Sequence, residues 1–158
     1  MGVYTSEIEH VSPISAAKLF KAIILDGPTI LPKALPGIVK SVEIIEGDGG
    51  PGTIRKFTSA KGYSINEIEA IDKEKYEFRN NVREGRKLGE NLEKICNEYK
   101  MVQRKDGGCI VKKTTKYYTK NNQTLDEKYL KADDDATIAS FKAVEDFLWL
   151  ILITTKSP

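Results

Sequence analysis

The sequence predicts an α+β fold in which an antiparallel meander of strands is followed by one long helix. Three observations point there. Residues 38–119 hold successive β-rich runs separated by Gly, Asp and Lys punctuation; residues 15–33 hold two short, proline-bounded helical patterns; and residues 126–153 carry an apolar stripe of 3.6-residue period. A chain of 158 residues has material for one domain with its own core and too little for two ordinary ones, so residues 1–158 are read as one domain.

Residues 3–11 alternate, with Tyr4, Ser6, Ile8 and His10 on one face and Val3, Thr5, Glu7 and Glu9 on the other, as a half-buried strand requires. Ser12-Pro13 breaks the strand. Ser15 can cap a helix whose Ala16, Leu19, Phe20 and Ile23 share a face; Asp26-Gly27-Pro28 ends it, and Pro28 suits the first turn of a second helix running to about Lys33. The pair reads as a V. From Ile38 to Ile45 the β-branched content climbs, a glycine-rich stretch (Gly47, Gly49, Gly50, Gly52) interrupts, and residues 53–57 resume extended structure. Further strands fall at 63–71, 76–84, 92–104 and 109–119. Pairing about the turn at 106–108 sets Cys96 opposite the region of Tyr117 and Cys109 opposite Arg104, so both thiols are expected to be free. The last helix, 126–153, places Leu130, Phe141, Val144, Leu148 and Ile151 on one stripe and spans roughly 40 Å. Its middle is small: Ala136, Thr137, Ala139, Ser140 and Ala143. Small side chains over a sheet leave room for a cavity, though Ala is also simply a good helix former.

Charge and composition exclude several functions. Lys+Arg 25 against Asp+Glu 23 gives a net charge of +2, with no global field towards nucleic acid or anionic lipid, so an RNA role would need a local site. One histidine and two cysteines cannot form a structural zinc quartet, and no metal or cofactor is expected. The apolar run 147–153 is far short of the roughly 20 residues that cross a bilayer. Residues 1–7 lack a secretory pattern, so a cytoplasmic, reducing location is expected. Met1-Gly2 with Ser6 touches a myristoylation pattern and Asn122-Gln123-Thr124 is a glycosylation sequon, both short enough to recur by chance. The glycine stretch could form an anion nest, but Gly52 runs into Thr53-Ile54-Arg55-Lys56 and a strand, not into the helix start of a phosphate loop. A strand-to-strand turn with positive φ at glycines is expected.

The blocks Gly2-Val3-Tyr4-Thr5, Ala17-Lys18-Leu19-Phe20-Lys21-Ala22 and Val42-Glu43-Ile44-Ile45-Glu46-Gly47-Asp48-Gly49-Gly50-Pro51-Gly52-Thr53-Ile54 stand in an order that continues through Leu92-Glu93-Lys94-Ile95, Gly107-Gly108-Cys109-Ile110-Val111-Lys112, Tyr118-Thr119-Lys120 and Phe141-Lys142-Ala143-Val144-Glu145. Together they resemble the plant class-ten pathogenesis-related proteins, the family of the major birch pollen allergen, over nearly the whole chain. The resemblance implies a helix-grip fold: a seven-stranded antiparallel curved sheet wrapped around the long C-terminal helix, with two short helices in a V. It also implies a large hydrophobic cavity that takes flavonoids, cytokinins, sterols, fatty acids, alkaloid-like or related plant metabolites, and thus a carrier or reservoir in defence and stress.

Within that frame, strand parity and matching positions assign the ligand-binding wall. The first strand supplies Tyr4, Ser6, Ile8 and His10, and the helical V with the segment after it supplies Ile24, Leu31 and Val39. The meander supplies Phe57, Tyr63, Phe78, Asn80, Val82, Tyr99 and Tyr117, and the long helix supplies Ala136, Ala139, Ser140 and Phe147. Inward Tyr and Phe residues are also ordinary core. The chain departs from its relatives at Asn80, where a tyrosine is usual, and at Arg83, where an apolar residue is usual, so a wider and more polar pocket is expected. The hairpin at 58–65 is about four residues shorter than usual, which would alter the entrance. The tail Trp149-Leu150-Ile151-Leu152-Ile153 is more apolar, so a monomer whose helix end could draw two copies together is expected.

Two catalytic readings compete with the carrier. Ribonuclease activity has been proposed for family members, and the positions usually suspected correspond here to Arg55, Glu93, Glu145 and Phe147, the last lacking a hydroxyl. Glu145 is equally a salt-bridged helix residue. The wider superfamily also includes enzymes of condensation or isomerisation; His10 and Tyr99 could do acid–base work, but no matching Tyr-Lys-Asp constellation is placed.

Overall fold

The structure is a computed structural model that describes residues 2–155, with the side chains of residues 2–151. The chain runs β1 (Val3–Ser12), α1 (Ala16–Phe20), a wider π-type turn (Lys21–Leu25), α2 (Gly27–Ala34), β2 (Ser41–Glu46), β3 (Ile54–Ser59), β4 (Gly62–Asp72), β5 (Glu77–Gly85), a single 3-10 turn (Arg86–Leu88), β6 (Leu92–Gln103), β7 (Cys109–Thr119) and α3 (Glu127–Thr155). The seven strands form one antiparallel curved sheet in the order β1-β7-β6-β5-β4-β3-β2. The expected element order and helix-grip architecture are therefore observed.

Local chemistry explains the boundaries. Ser15 Oγ accepts the Lys18 N–H at 3.3 Å, capping α1 as expected. Lys21 and Asp26 form an exposed ion pair across the π-type turn, and Pro28 sits in the first turn of α2. The β-branched run from Ile38 does not begin a strand at once. The Ile38 and Val39 amides both donate to the Leu35 carbonyl, closing α2, and pairing starts only at Ser41. Cys109 stands opposite Gln103, one residue from the expected Arg104; both cysteines are free.

The glycine stretch is a turn that spends its own donors. Gly49 N–H bonds Thr53 Oγ1 at 2.8 Å, Gly50 N–H bonds Asp48 Oδ1 at 2.9 Å, and Gly52 N–H bonds the Ile68 carbonyl at 2.7 Å. Gly47 at φ 105° and Gly49 at φ 99° supply the left-handed backbone. With these amides engaged, an anion nest at these positions is filled by the protein itself.

Two apolar clusters sit on the concave face of the sheet. One joins α1 and α3 to the sheet through Leu19, Phe20, Met101, Val111, Phe141 and Val144; the other gathers Val82, Leu88, Leu92, Ile95 and Tyr117. Between them runs a polar rung of neighbouring residues, Asn80, Asn97, Thr115 and Ser6. Asn97 Nδ2 donates to Asn80 Oδ1 at 3.1 Å, and Thr115 Oγ1 donates to Asn97 Oδ1 at 3.2 Å. Among the described residues, no helix is long and apolar enough to cross a membrane.

Candidate functional site

A cavity of about 240 Å³ lies between the helical V and the concave face of β3 to β6. Its helical side is Ile23, Ile24 and Leu31, with Ile38 and Val39 following α2; its sheet side is Phe57, Phe78, Asn80, Val82 and Tyr99. Thr58, Ser59, Gly62 and Tyr63, from the β3–β4 hairpin, extend the wall. Tyr63 is 41% exposed, which puts it at the mouth. Thus the expected Ile24, Leu31, Val39, Phe57, Tyr63, Phe78, Asn80, Val82 and Tyr99 come together.

The other expected wall residues lie elsewhere. Tyr4, Ser6, Ile8, His10 and Tyr117 do alternate inward, but under α3, away from this cavity. Ser6 Oγ donates to Asp134 at 2.5 Å, Tyr117 OH donates to Asp133 at 2.5 Å, and Lys113 Nζ donates to Thr137 Oγ1 at 2.9 Å. Burial, and then the hydrogen bond to Asp133, push the Tyr117 phenol well above the usual tyrosine range. His10 Nε2 is 2.7 Å from Glu145 Oε2, and its ring stacks on Phe141 at 5.6 Å.

Ala136 and Ala139 correct the expectation of a cavity beneath the small middle of the helix: both are exposed. The face of α3 that meets the sheet carries Asp133, Asp134, Thr137, Phe141, Val144 and Glu145, three of them acids held by sheet hydroxyls and His10. Polar residues thus occupy inward positions, and the small alanines face solvent. Ser140 and Phe147 are half-buried and do not line the cavity.

Arg55 is the wall residue that sequence reasoning assigned to another role. It is 5% exposed, its Nε donates to Asn66 Oδ1 at 3.4 Å, and its guanidinium carbon lies 5.1 Å from the Phe57 ring centre and 5.7 Å from that of Phe78. Burial draws its pKa down from 12.5 to about 10, against a weaker opposing influence of Tyr99. Ser64 and Asn66 were also missed. Tyr63 reaches the cavity at its mouth, whereas the buried set of β4 is Ser64, Asn66 and Ile68, one step out of phase with it, and a bulge follows Ile65. Counting back by two from the buried Ile68 would have found them. Arg83 faces outward and pairs with Glu67 at 3.3 Å, so it adds no polarity to the cavity.

The ribonuclease candidates are not assembled. Arg55 lines the cavity, Glu93 is exposed on β6, and Glu145 is bound to His10 beside a separate groove. That groove, about 650 Å³, runs between α1, α2 and the end of α3, with Ile14, Ala22, Ile30, Leu148 and Trp149 among its walls and exposed Lys18 and Lys21 at its edge. Trp149, in that groove, and Leu150, beside it in sequence, are each 59% exposed, as the apolar tail leads one to expect; the side chains of Leu152 and Ile153 lie outside the described residues.

The pattern of the Pathogenesis-related protein Bet v 1 family matches residues 1–149. Over 152 residues the chain is 44% identical to the major pollen allergen Bet v 1-C of Betula pendula, covering 94% of this chain and 95% of that one. The crystal structure of Ara h 8.0201 superposes with a TM-score of 0.84 at 35% identity, covering 94% of this chain and 99% of the other. Norcoclaurine synthase from Thalictrum flavum, in complex with dopamine and hydroxybenzaldehyde, shares the fold at a TM-score of 0.71 and 22% identity, covering 99% of this chain and 90% of that one.

Proposed function

The chain belongs to the pathogenesis-related protein Bet v 1 family, and from that premise we propose that it is an intracellular, non-catalytic carrier or reservoir for one small hydrophobic plant metabolite, serving defence and stress. The observation that carries this reading is the cavity itself: apolar walls from Ile24, Leu31, Val39, Phe57 and Phe78 around a few fixed polar groups, Arg55, Asn66 and Asn80. Apolar burial supplies affinity and the polar groups fix orientation. At about 240 Å³ the space lies below the ~300–1,000 Å³ of ordinary ligand pockets, which favours one compact, ring-sized ligand over a sterol.

Native mass spectrometry after incubation with a plant small-molecule extract tests the reading. Discrete additions of roughly a few hundred daltons, in the size range of small-molecule pockets, are expected. They should disappear in Leu31→Trp, whose indole fills the space from α2. Additions that survive that substitution unchanged, or no additions to the folded wild type, would overturn the assignment.

A further inference from the structure

The charged groups around the cavity are all of one sign. Arg55, Arg86 and Lys87 belong to its wall and no Asp or Glu does, in a chain whose 25 basic and 23 acidic residues nearly balance. Among the described residues Arg55 has no ion pair, and its hydrogen bond is the 3.4 Å contact to the Asn66 amide. A guanidinium presents five N–H donors in a planar fork and accepts nothing, so one long bond leaves its other donors open to the cavity rather than packed against protein. The Phe57 and Phe78 rings offset part of the loss of water but supply no acceptor oxygen. Charges buried this deeply are ordinarily paired.

The neutral neighbours have the same polarity. Asn66 spends its carbonyl oxygen on Arg55, and Asn80 spends its own on Asn97, so each keeps an NH2 group as donor. The polar corner of an otherwise apolar cavity is therefore rich in donors. Arg86 and Lys87 are exposed and extend the same sign to the approach.

We propose that this cavity selects amphiphilic carboxylates: small monocarboxylic acids whose two oxygens sit in the Arg55 fork, with the Asn66 NH2 beside them, and whose aromatic or hydrocarbon body packs on Leu31, Val39, Phe57 and Phe78. The fork matches a carboxylate in two parallel hydrogen bonds, a geometry that an amide or alcohol cannot reproduce. Burial strengthens the pairing over its value in water. The proposal rests on the carrier reading and narrows it to one ligand class.

Isothermal titration calorimetry at neutral pH separates the two. The probes are 1-naphthylacetate, its neutral amide 1-naphthylacetamide, and 2-(1-naphthyl)ethanol, titrated into the wild-type chain, Arg55→Lys and Arg55→Met. The acid is expected to bind the wild type roughly tenfold or more tightly than the amide, the scale of a charge-assisted pair over neutral hydrogen bonds. Arg55→Met should bring the acid-to-amide ratio to within about threefold, and Arg55→Lys should keep part of the preference. Equal binding of acid and amide by the wild type, with the alcohol still bound, would overturn the anion selectivity and leave the carrier intact. No binding of any probe would overturn both. If Arg55→Met fails to give the wild-type far-UV spectrum, Asn66→Asp, which sets a carboxylate against the fork, should remove the preference instead, and its survival would refute the proposal.

Discussion

Cys109 makes the stability of the fold depend on alkaline pH in a way that one substitution can isolate. The residue begins β7, is fully buried, and packs in the cluster of Ala16, Met101, Val111 and Phe141. Burial, with a smaller contribution from Glu145, pushes its thiol from 9.0 up to about 11. In the unfolded chain the thiol ionises from about pH 9, while the folded chain holds its proton until about 11. The unfolded state therefore binds fewer protons in this window, and the stabilisation present below pH 9 is lost as pH rises towards 11. By pH 10 the loss from this group amounts to about 1.4 kcal/mol. Cys109→Ala should cost about 1 kcal/mol at neutral pH for the small void it leaves, and should remove that alkaline component. Urea midpoints followed by far-UV circular dichroism, with reductant, at pH 7, 9 and 10 would measure it. Cys96, Tyr117 and Tyr129, also raised, remain in both proteins and cancel in the difference. Arg55 has the opposite sign, since its depressed pKa relieves its burial penalty only from about pH 10 upward, and it cancels in the same way. Stabilities of wild type and variant that fall in parallel from pH 7 to 10 would refute the reasoning.

Phe141→Ala should lose about 3–5 kcal/mol in denaturant titration, because it empties a buried contact between α3 and the sheet. Ala139→Trp, two residues away but exposed, should shift stability by less than about 0.5 kcal/mol and leave the binding of every hydrophobic probe unchanged. Gly47→Ala should lower the melting temperature more than Gly49→Ala. Both sit at positive φ, which costs about 1–2 kcal/mol for a side chain. Only at Gly47 would the new Cβ also meet Thr53, 2.6 Å from its Oγ1.

The fold was legible because its punctuation is local. Ser15 caps, Pro28 opens a helix, and glycines mark the β2–β3 turn, all decided within a few residues. The site was half legible. Leu31, Phe57 and Phe78 follow from apolar alternation, but Asn66 and Ser64 are polar residues facing inward, where a hydrophobicity pattern reads them as outside. The same inversion hid part of the inward face of the long helix: Asp133 and Asp134 face the sheet because hydroxyls of Tyr117 and Ser6 donate to them there, Tyr117 from 16 residues away and Ser6 from 128, matches that a hydrophobic period does not register. Ala139, chosen for its size, lay on the other side.

The sheet order also fixes when each part of the fold can form. Strands β2 to β7 each pair with the next in sequence, whereas β1 pairs only with β7, from Val3 opposite Tyr118 to Ser12 opposite Cys109. On a ribosome adding ~5–20 residues per second, β1 leaves first and waits roughly 5–20 s for the partner that completes it. Its Tyr4, Ile8 and His10 face, later covered by α3, is open to water and to other chains throughout that interval. Closing so long a loop is also slow entropically, which places the docking of β1 and α3 among the last events and lengthens the time for which that face stays uncovered.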